Sequence, residues 1–222
     1  MARVRLDRAS LNRSIRGASR RELETTARQV MNRAKILAPV DTGRLRASIR
    51  EQVAALAEAA RRHGVRLAHV KPHGALYNAA AGDPALARLI AEAAAGAAPG
   101  ATLVGLAGSA MLDAWRAAGF PVAAEAFADR CYEPDGTLRP RRFPDALLAD
   151  PAEAAAQALS IARDGRVTAW DGRVTPVRAD TLCVHSDTPG AAETVAAIRR
   201  SFRAHGIRLA PLDAPPGEPP HP

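Results

Sequence analysis

His69-Val-Lys-Pro-His-Gly-Ala-Leu-Tyr-Asn78 closes an apolar run that begins at Val65, and its reading sets the fold class of everything after it. Residues 65–71 read as a strand that a proline terminates. A lysine, a histidine, a tyrosine and an asparagine then crowd into the step from strand to helix. An ordinary turn needs no such concentration of reactive side chains. From this point strands alternate with helices without a break, which predicts βαβ units and a parallel sheet. In such sheets, and in barrels above all, reactive residues gather at the C-terminal ends of strands.

Downstream, Asp83-Pro84 predicts an N-cap with proline at N1 and Leu86, Leu89 and Ile90 on the face behind it. Residues 102–106 form a short buried strand, Ser109 caps a helix bearing Leu112 and Trp115, and residues 121–127 are the next strand. Asp150-Pro151-Ala152-Glu153 reads as a capping box that opens a helix ending near Gly165. Residues 167–177 alternate around Asp171-Gly172, a strong hairpin signal. Residues 181–185 are a strand, and Thr188-Pro189 starts a helix with Val195, Ile198 and Phe202 inward that Gly206 ends before residues 207–209.

Upstream, residues 20–37 have helical periodicity. A second helix places Val53, Leu56, Ala57 and Ala60 on one face and stops at Gly64. Residues 1–50 hold 13 Lys/Arg against 4 Asp/Glu, while the rest of the chain holds 18 against 19. The overall charge of +8 is therefore a property of the N-terminal segment, which is the place for any polyanion or nucleic-acid contact. The tail from Ala214, with five prolines in nine residues, is expected to be disordered. Two isolated cysteines, Cys131 and Cys183, argue against a zinc site and a disulfide framework. With no long apolar run and no signal-peptide core, the expectation is a cytoplasmic chain without membrane contact.

Three strand ends carry chemistry. At the first, proline fixes the backbone after Lys71, Gly74 permits close approach to a ligand, and His73 can serve as acid, base or metal ligand, with Tyr77 and Asn78 one turn on. At the second, Glu125-Ala-Phe-Ala-Asp129-Arg130, strand alternation points Glu125, Phe127 and Asp129 to one side and leaves Arg130 near the rim. Two carboxylates facing one cavity suit general acid–base work or binding of an ammonium group. At the third, Cys183-Val-His185-Ser-Asp187-Thr-Pro-Gly190, His185 leaves a buried strand and Asp187 precedes a helix N-terminus that favours an anion. No Gly-x-x-x-x-Gly-Lys-Ser/Thr loop is present, so any nucleotide is held in another way.

In order and spacing these three motifs, with Gly136, Leu138 and Arg141 after the second, resemble the LamB/YcsF family, the A subunits of 5-oxoprolinase, from about residue 52 to 212. The resemblance implies an α/β fold, a distorted (β/α) barrel of the deacetylase-like type. It also implies ATP-dependent opening of the small-molecule substrate 5-oxo-L-proline (pyroglutamate) to L-glutamate, in concert with the B and C subunits of 5-oxoprolinase as partners. Carried onto this chain, it makes Lys71, His73, Glu125, Asp129 and His185 the catalytic candidates. His73 or Glu125 would be the base and Lys71 the oxyanion donor; Tyr77, Asn78, Arg130 and Asp187 would bind substrate. No metal ligand is assigned. Ser186 stands where the family usually has glycine.

The family's opening motifs are not encoded here, so the barrel is expected to be incomplete over residues 51–213 and to leave open parallel edges. In their place Leu37-Ala-Pro-Val-Asp-Thr-Gly-Arg-Leu-Arg-Ala-Ser-Ile49 resembles a tailed-phage head-tail connector or tail-completion segment over residues 20–50. This reads as a chimera joined between Ile49 and Val53, with residues 1–50 a basic helical segment and 214–222 a proline-rich tail. The alternative function is a phage-derived interaction protein with a basic polyanion-binding arm.

Overall fold

A computed structural model describes residues 42–186 and 189–212. The helix expected over residues 20–37, the turn up to Asp41, Asp187, Thr188 and the proline-rich tail lie outside the described residues. The described residues form two units. The first comprises residues 42–105 and 110–122, and the second residues 106–109, 123–186 and 189–212.

The first unit opens with helix α1, Thr42–Arg62, which runs without interruption through the segment expected to change parentage between Ile49 and Val53. Ile49, Val53 and Ala60 are its buried residues. The helix ends as its sequence predicts: Gly64 takes a positive φ of 67°, and the Val65 N–H reaches back 2.9 Å to the Ala60 carbonyl. That closure engages Val65, so the strand expected over residues 65–71 shrinks to β1, His69–Val70.

Helix α2, Ala75–Gly82, follows directly, and Asp83 then caps helix α3, Pro84–Ala97, by accepting hydrogen bonds from Ala85 and Leu86 N–H. Leu89 and Ile90 are buried as expected and Leu86 is half-buried. Strand β2, Thr102–Leu106, lies parallel to β1, pairing His69 with Thr102 and Val70 with Leu103. Helix α4, Ala110–Ala117, lays Met111, Leu112 and Trp115 over Gly105. A Cβ at Gly105 would stand 2.9 Å from Met111 Cε and from Trp115 Cζ3. Trp115 is fully buried, and its indole N–H donates to the Ala87 carbonyl at 2.6 Å.

The second unit is built on β3, Val122–Phe127, and β6, Thr181–Cys183, parallel with Glu125, Ala126 and Phe127 opposite Thr181, Leu182 and Cys183. Helix α5, Pro151–Asp164, begins with the Asp150 carboxylate on Ala152 N–H and ends at Gly165 in the left-handed region. The hairpin is present as β4, Arg166–Thr168, and β5, Val174–Pro176. Its loop is one residue longer than a two-residue turn. Ala169 accepts from Gly172 N–H and donates to the Arg173 carbonyl, so Trp170-Asp171-Gly172 form a three-residue connection with Gly172 at φ 86°.

Helix α6, Ala191–Ala204, buries Thr194, Ile198 and Phe202. Val195, expected inward, is 42% exposed because the buried stripe runs in steps of four from Thr194 and leaves it beside the seam. Ala128, Ala155, Ala158, Ile198 and Phe202 form a core joined by Leu182, Val184, Ala197 and Ile207. After α6 the Ile207 N–H closes the helix end on the Phe202 carbonyl, and Leu209 is half exposed.

The parallel strands pair as β1 with β2 in the first unit and β3 with β6 in the second. A cleft of about 470 Å³, lined by Arg46, Pro84, Arg88, Leu89 and Glu92, contains none of the candidate site residues. No helix among the described residues is long and apolar enough to cross a membrane.

Candidate functional site

In the first unit, Lys71 and Pro72 follow β1 and are buried, His73 is half-buried, and Gly74 stands at the head of α2. Gly74 has φ 66° and ψ −138°, a conformation that side-chain-bearing residues essentially never adopt, and nothing lies within 4 Å of where its Cβ would be. One turn on, Tyr77 is buried and Asn78 is exposed. The Lys71 ammonium lies 5.6 Å from the centre of the Tyr77 ring, within cation–π range. The structure thus joins Lys71 with Tyr77, while Asn78 turns outward.

In the second unit, β3 ends at Phe127, so strand alternation carries Glu125 and Phe127 but not Asp129, which stands in the turn beyond. What aims Asp129 is β6. Its carboxylate accepts the His185 backbone N–H at 2.7 Å, and the His185 ring Nδ1 lies 3.0 and 2.9 Å from its two oxygens. Both residues are buried, and the Phe127 ring stacks on the imidazole at 5.5 Å between centroids, 20° from parallel.

Burial pushes the Asp129 carboxyl up, but the hydrogen bonds and charge of His185 outweigh it and hold the group below the usual carboxylate range. An ionised Asp129 fixes Nδ1 as the protonated ring nitrogen and leaves Nε2 as the basic one. This is the arrangement of an oriented general base.

Arg130, expected near the rim, is buried instead. Its guanidinium donates to the Ala146 and Arg139 carbonyls at 3.1 and 2.6 Å, which makes it a brace for the following loop, and burial lowers its pKa. Arg139 in turn pairs with Asp145 and Glu133 and lies over the rings of Phe143 and Trp170. Glu125 is buried within β3. Asp187 lies outside the described residues. No cluster of three or more His, Cys, Asp or Glu among the described residues could hold a metal ion.

Two residues that sequence reasoning passed over complete the second strand end. Tyr132 is fully buried and its hydroxyl accepts the Phe127 N–H at 2.7 Å; burial, with the Glu125 and Asp129 charges nearby, pushes that hydroxyl's pKa well up and keeps it neutral. Gln157, on α5, donates to backbone carbonyls of the same turn. The signal for Gln157 was present: it is a polar residue in the stripe of Ala154, Ala158 and Ile161, all buried.

The sequence profile of the LamB/YcsF family matches residues 17–216. The chain belongs to the LamB/YcsF family. Among its LamB/YcsF relatives, the 5-oxoprolinase A subunit of Chloroflexus aggregans is 54% identical over 171 residues, covering 77% of this chain and 68% of that protein. The 5-oxoprolinase A subunit of Methylococcus capsulatus is 53% identical over 161 residues, covering 72% and 62%. The crystal structure of a lactam utilization protein from Thermus thermophilus superposes with a TM-score of 0.72 at 40% identity, covering 78% of this chain and 68% of that one. This LamB/YcsF chain therefore spans about two thirds of the length of these relatives, and the likeness in fold holds over that part.

Proposed function

We propose that the chain is the A subunit of a 5-oxoprolinase and opens 5-oxo-L-proline to L-glutamate with ATP and the partner B and C subunits, in the cytoplasm. The relatives that carry this name support the assignment, and the observation that carries the chemistry is the buried Asp129–His185 pair. Ring opening adds water to a lactam carbonyl and breaks its C–N bond. His185 Nε2 takes the proton of the attacking water, and ionised Asp129 stabilises the imidazolium that forms. The same nitrogen then returns the proton to the departing ring nitrogen. The base role thus moves to His185 from His73 or Glu125, because its ring is oriented by a carboxylate and stacked by Phe127.

ATP, when bound, would supply the phosphoryl group that activates the lactam oxygen, and after the C–N bond breaks a second water would release that group as inorganic phosphate. The chain has no P-loop, so any nucleotide it meets is held in another way. Lys71 keeps the oxyanion-donor role and Tyr77 the substrate-binding role that the family resemblance implies.

The deciding measurement is pyroglutamate-dependent glutamate release with ATP and both partner subunits. Release that collapses in His185→Gln and in His73→Ala supports the reading. No release from well-folded protein with active partners defeats it.

A further inference from the structure

The turn after β3 has to aim Asp129, yet it lies beyond the last paired residue of that strand. Gln157 faces this turn from α5. Its amide nitrogen Nε2 lies 3.0 Å from the Phe127 carbonyl, 3.1 Å from that of Ala128 and 2.8 Å from that of Arg130. These carbonyls bracket Asp129 on both sides. An amide has two N–H donors, so three acceptors share them and all are drawn toward one point. Without a donor there, three carbonyl dipoles would converge on one another in a half-buried place, and the peptide planes would rotate apart. Rotating the planes on either side of Asp129 swings its Cα–Cβ direction away from β6.

Other bonds described at this turn act elsewhere. The Ala128 N–H reaches the Cys183 carbonyl, and the Asp129 carbonyl takes the Leu148 N–H. Neither touches the carbonyls that Gln157 gathers. The Tyr132 hydroxyl approaches the Phe127 carbonyl alone, and only to 3.5 Å. We propose that Gln157 is a positioning residue for the Asp129–His185 pair, holding the turn in the one setting that presents the carboxylate to both the ring and the backbone N–H of His185. This rests on the reading of that pair as the acid–base centre.

The test uses the full chain with its partner subunits, and two readouts. Gln157→Met preserves length and bulk and removes both donors. Its kcat for glutamate release should fall about 10- to 100-fold with KM unchanged, the scale expected when a reacting group is misplaced by a fraction of an ångström to an ångström. Independently of activity, nitrogen NMR of the histidine rings should show His185 losing its Nδ1-protonated preference, as in Asp129→Asn. Ser160→Ala removes a different bond from the same helix, Ser160 Oγ to the Arg166 carbonyl at 2.9 Å, and should move neither readout.

A His185 tautomer signature in Gln157→Met identical to wild type overturns the proposal. So does an equal shift in Ser160→Ala, which would mean that any weakening of α5 suffices. If Gln157→Met does not fold, Gln157→Asn, whose amide stops one methylene short of the carbonyls, decides by the same NMR readout. If wild-type protein releases no glutamate while Gln157→Met still shifts His185, the oxoprolinase assignment fails and the positioning role stands.

Discussion

His185 approaches Asp129 twice, through its backbone N–H at 2.7 Å and through ring Nδ1 at 2.9 Å, so one carboxylate fixes both the main chain and the imidazole of the same residue. The ring therefore cannot change orientation without disturbing the end of β6. A base held this way is set before substrate arrives, which is where oriented acid–base groups gain their advantage.

His185→Gln should lower kcat for glutamate release by about 10²- to 10⁴-fold, the range for loss of a general base. Asp129→Asn should fall in the same direction while retaining the fold, since an amide still offers an oxygen to the His185 N–H. Steady-state assays with ATP and the partner subunits, alongside circular dichroism, check both. Full activity in His185→Gln would rule the base role out.

The pair also makes stability depend on pH with a definite sign. A carboxyl whose folded pKa lies below its unfolded value of about 3.9 contributes stability above that value, and loses it as pH falls through the folded pKa. Urea midpoints measured from pH 7 down to pH 2 should therefore show wild type well above Asp129→Asn at neutral pH. The gap should close below about pH 4. A gap that stays constant through the acid range would contradict this.

Tyr132→Phe removes the acceptor of the Phe127 N–H and leaves that group buried without it. The expected loss is about 1–3 kcal/mol of unfolding free energy, read from denaturant titration. Because Phe127 stacks on His185, activity should fall as well.

Gly105→Ala tests the packing of the first unit. Its new methyl would meet Met111 Cε and Trp115 Cζ3 at 2.9 Å and Leu112 Cδ2 at 3.1 Å. Met111 can yield at its flexible end, but the Trp115 ring is fully buried and tied to Ala87. Overpacking of this kind costs about 1–3 kcal/mol, measurable as a lowered urea midpoint. An unchanged midpoint would show that the helix carrying Trp115 shifts freely.

Features set by neighbouring residues were legible in the sequence. Asp83-Pro84 and Asp150-Pro151 cap their helices with their own carboxylates, and Gly64 and Gly165 end theirs, because each needs only the few residues beside it. Expectations that depended on distant partners fared differently. Asp129 was assigned to one side of a strand by alternation, but the strand stops short of it and its partner lies 56 residues on. Arg130 was expected at a rim, and it was loop carbonyls at Arg139 and Ala146 that drew it inward. The run over residues 65–71 had the composition of a strand, but the preceding helix took its first N–H for its own closure. Gln157 bonds residues 27 to 30 positions upstream, a relation that no local pattern encodes.

The two tryptophans of the chain fall one in each unit and in opposite surroundings. Trp115 is sealed from solvent with its indole hydrogen-bonded to a carbonyl, while Trp170 sits half exposed at the tip of the hairpin. Their emission is therefore separable by wavelength and by access to a soluble quencher, and the native protein carries a spectroscopic reporter for each half without any label. Unfolding followed at the blue edge tracks the helices around Gly105, and the quenchable fraction tracks the hairpin beside Arg139. Whether the halves melt together or in sequence can be read from a single cuvette.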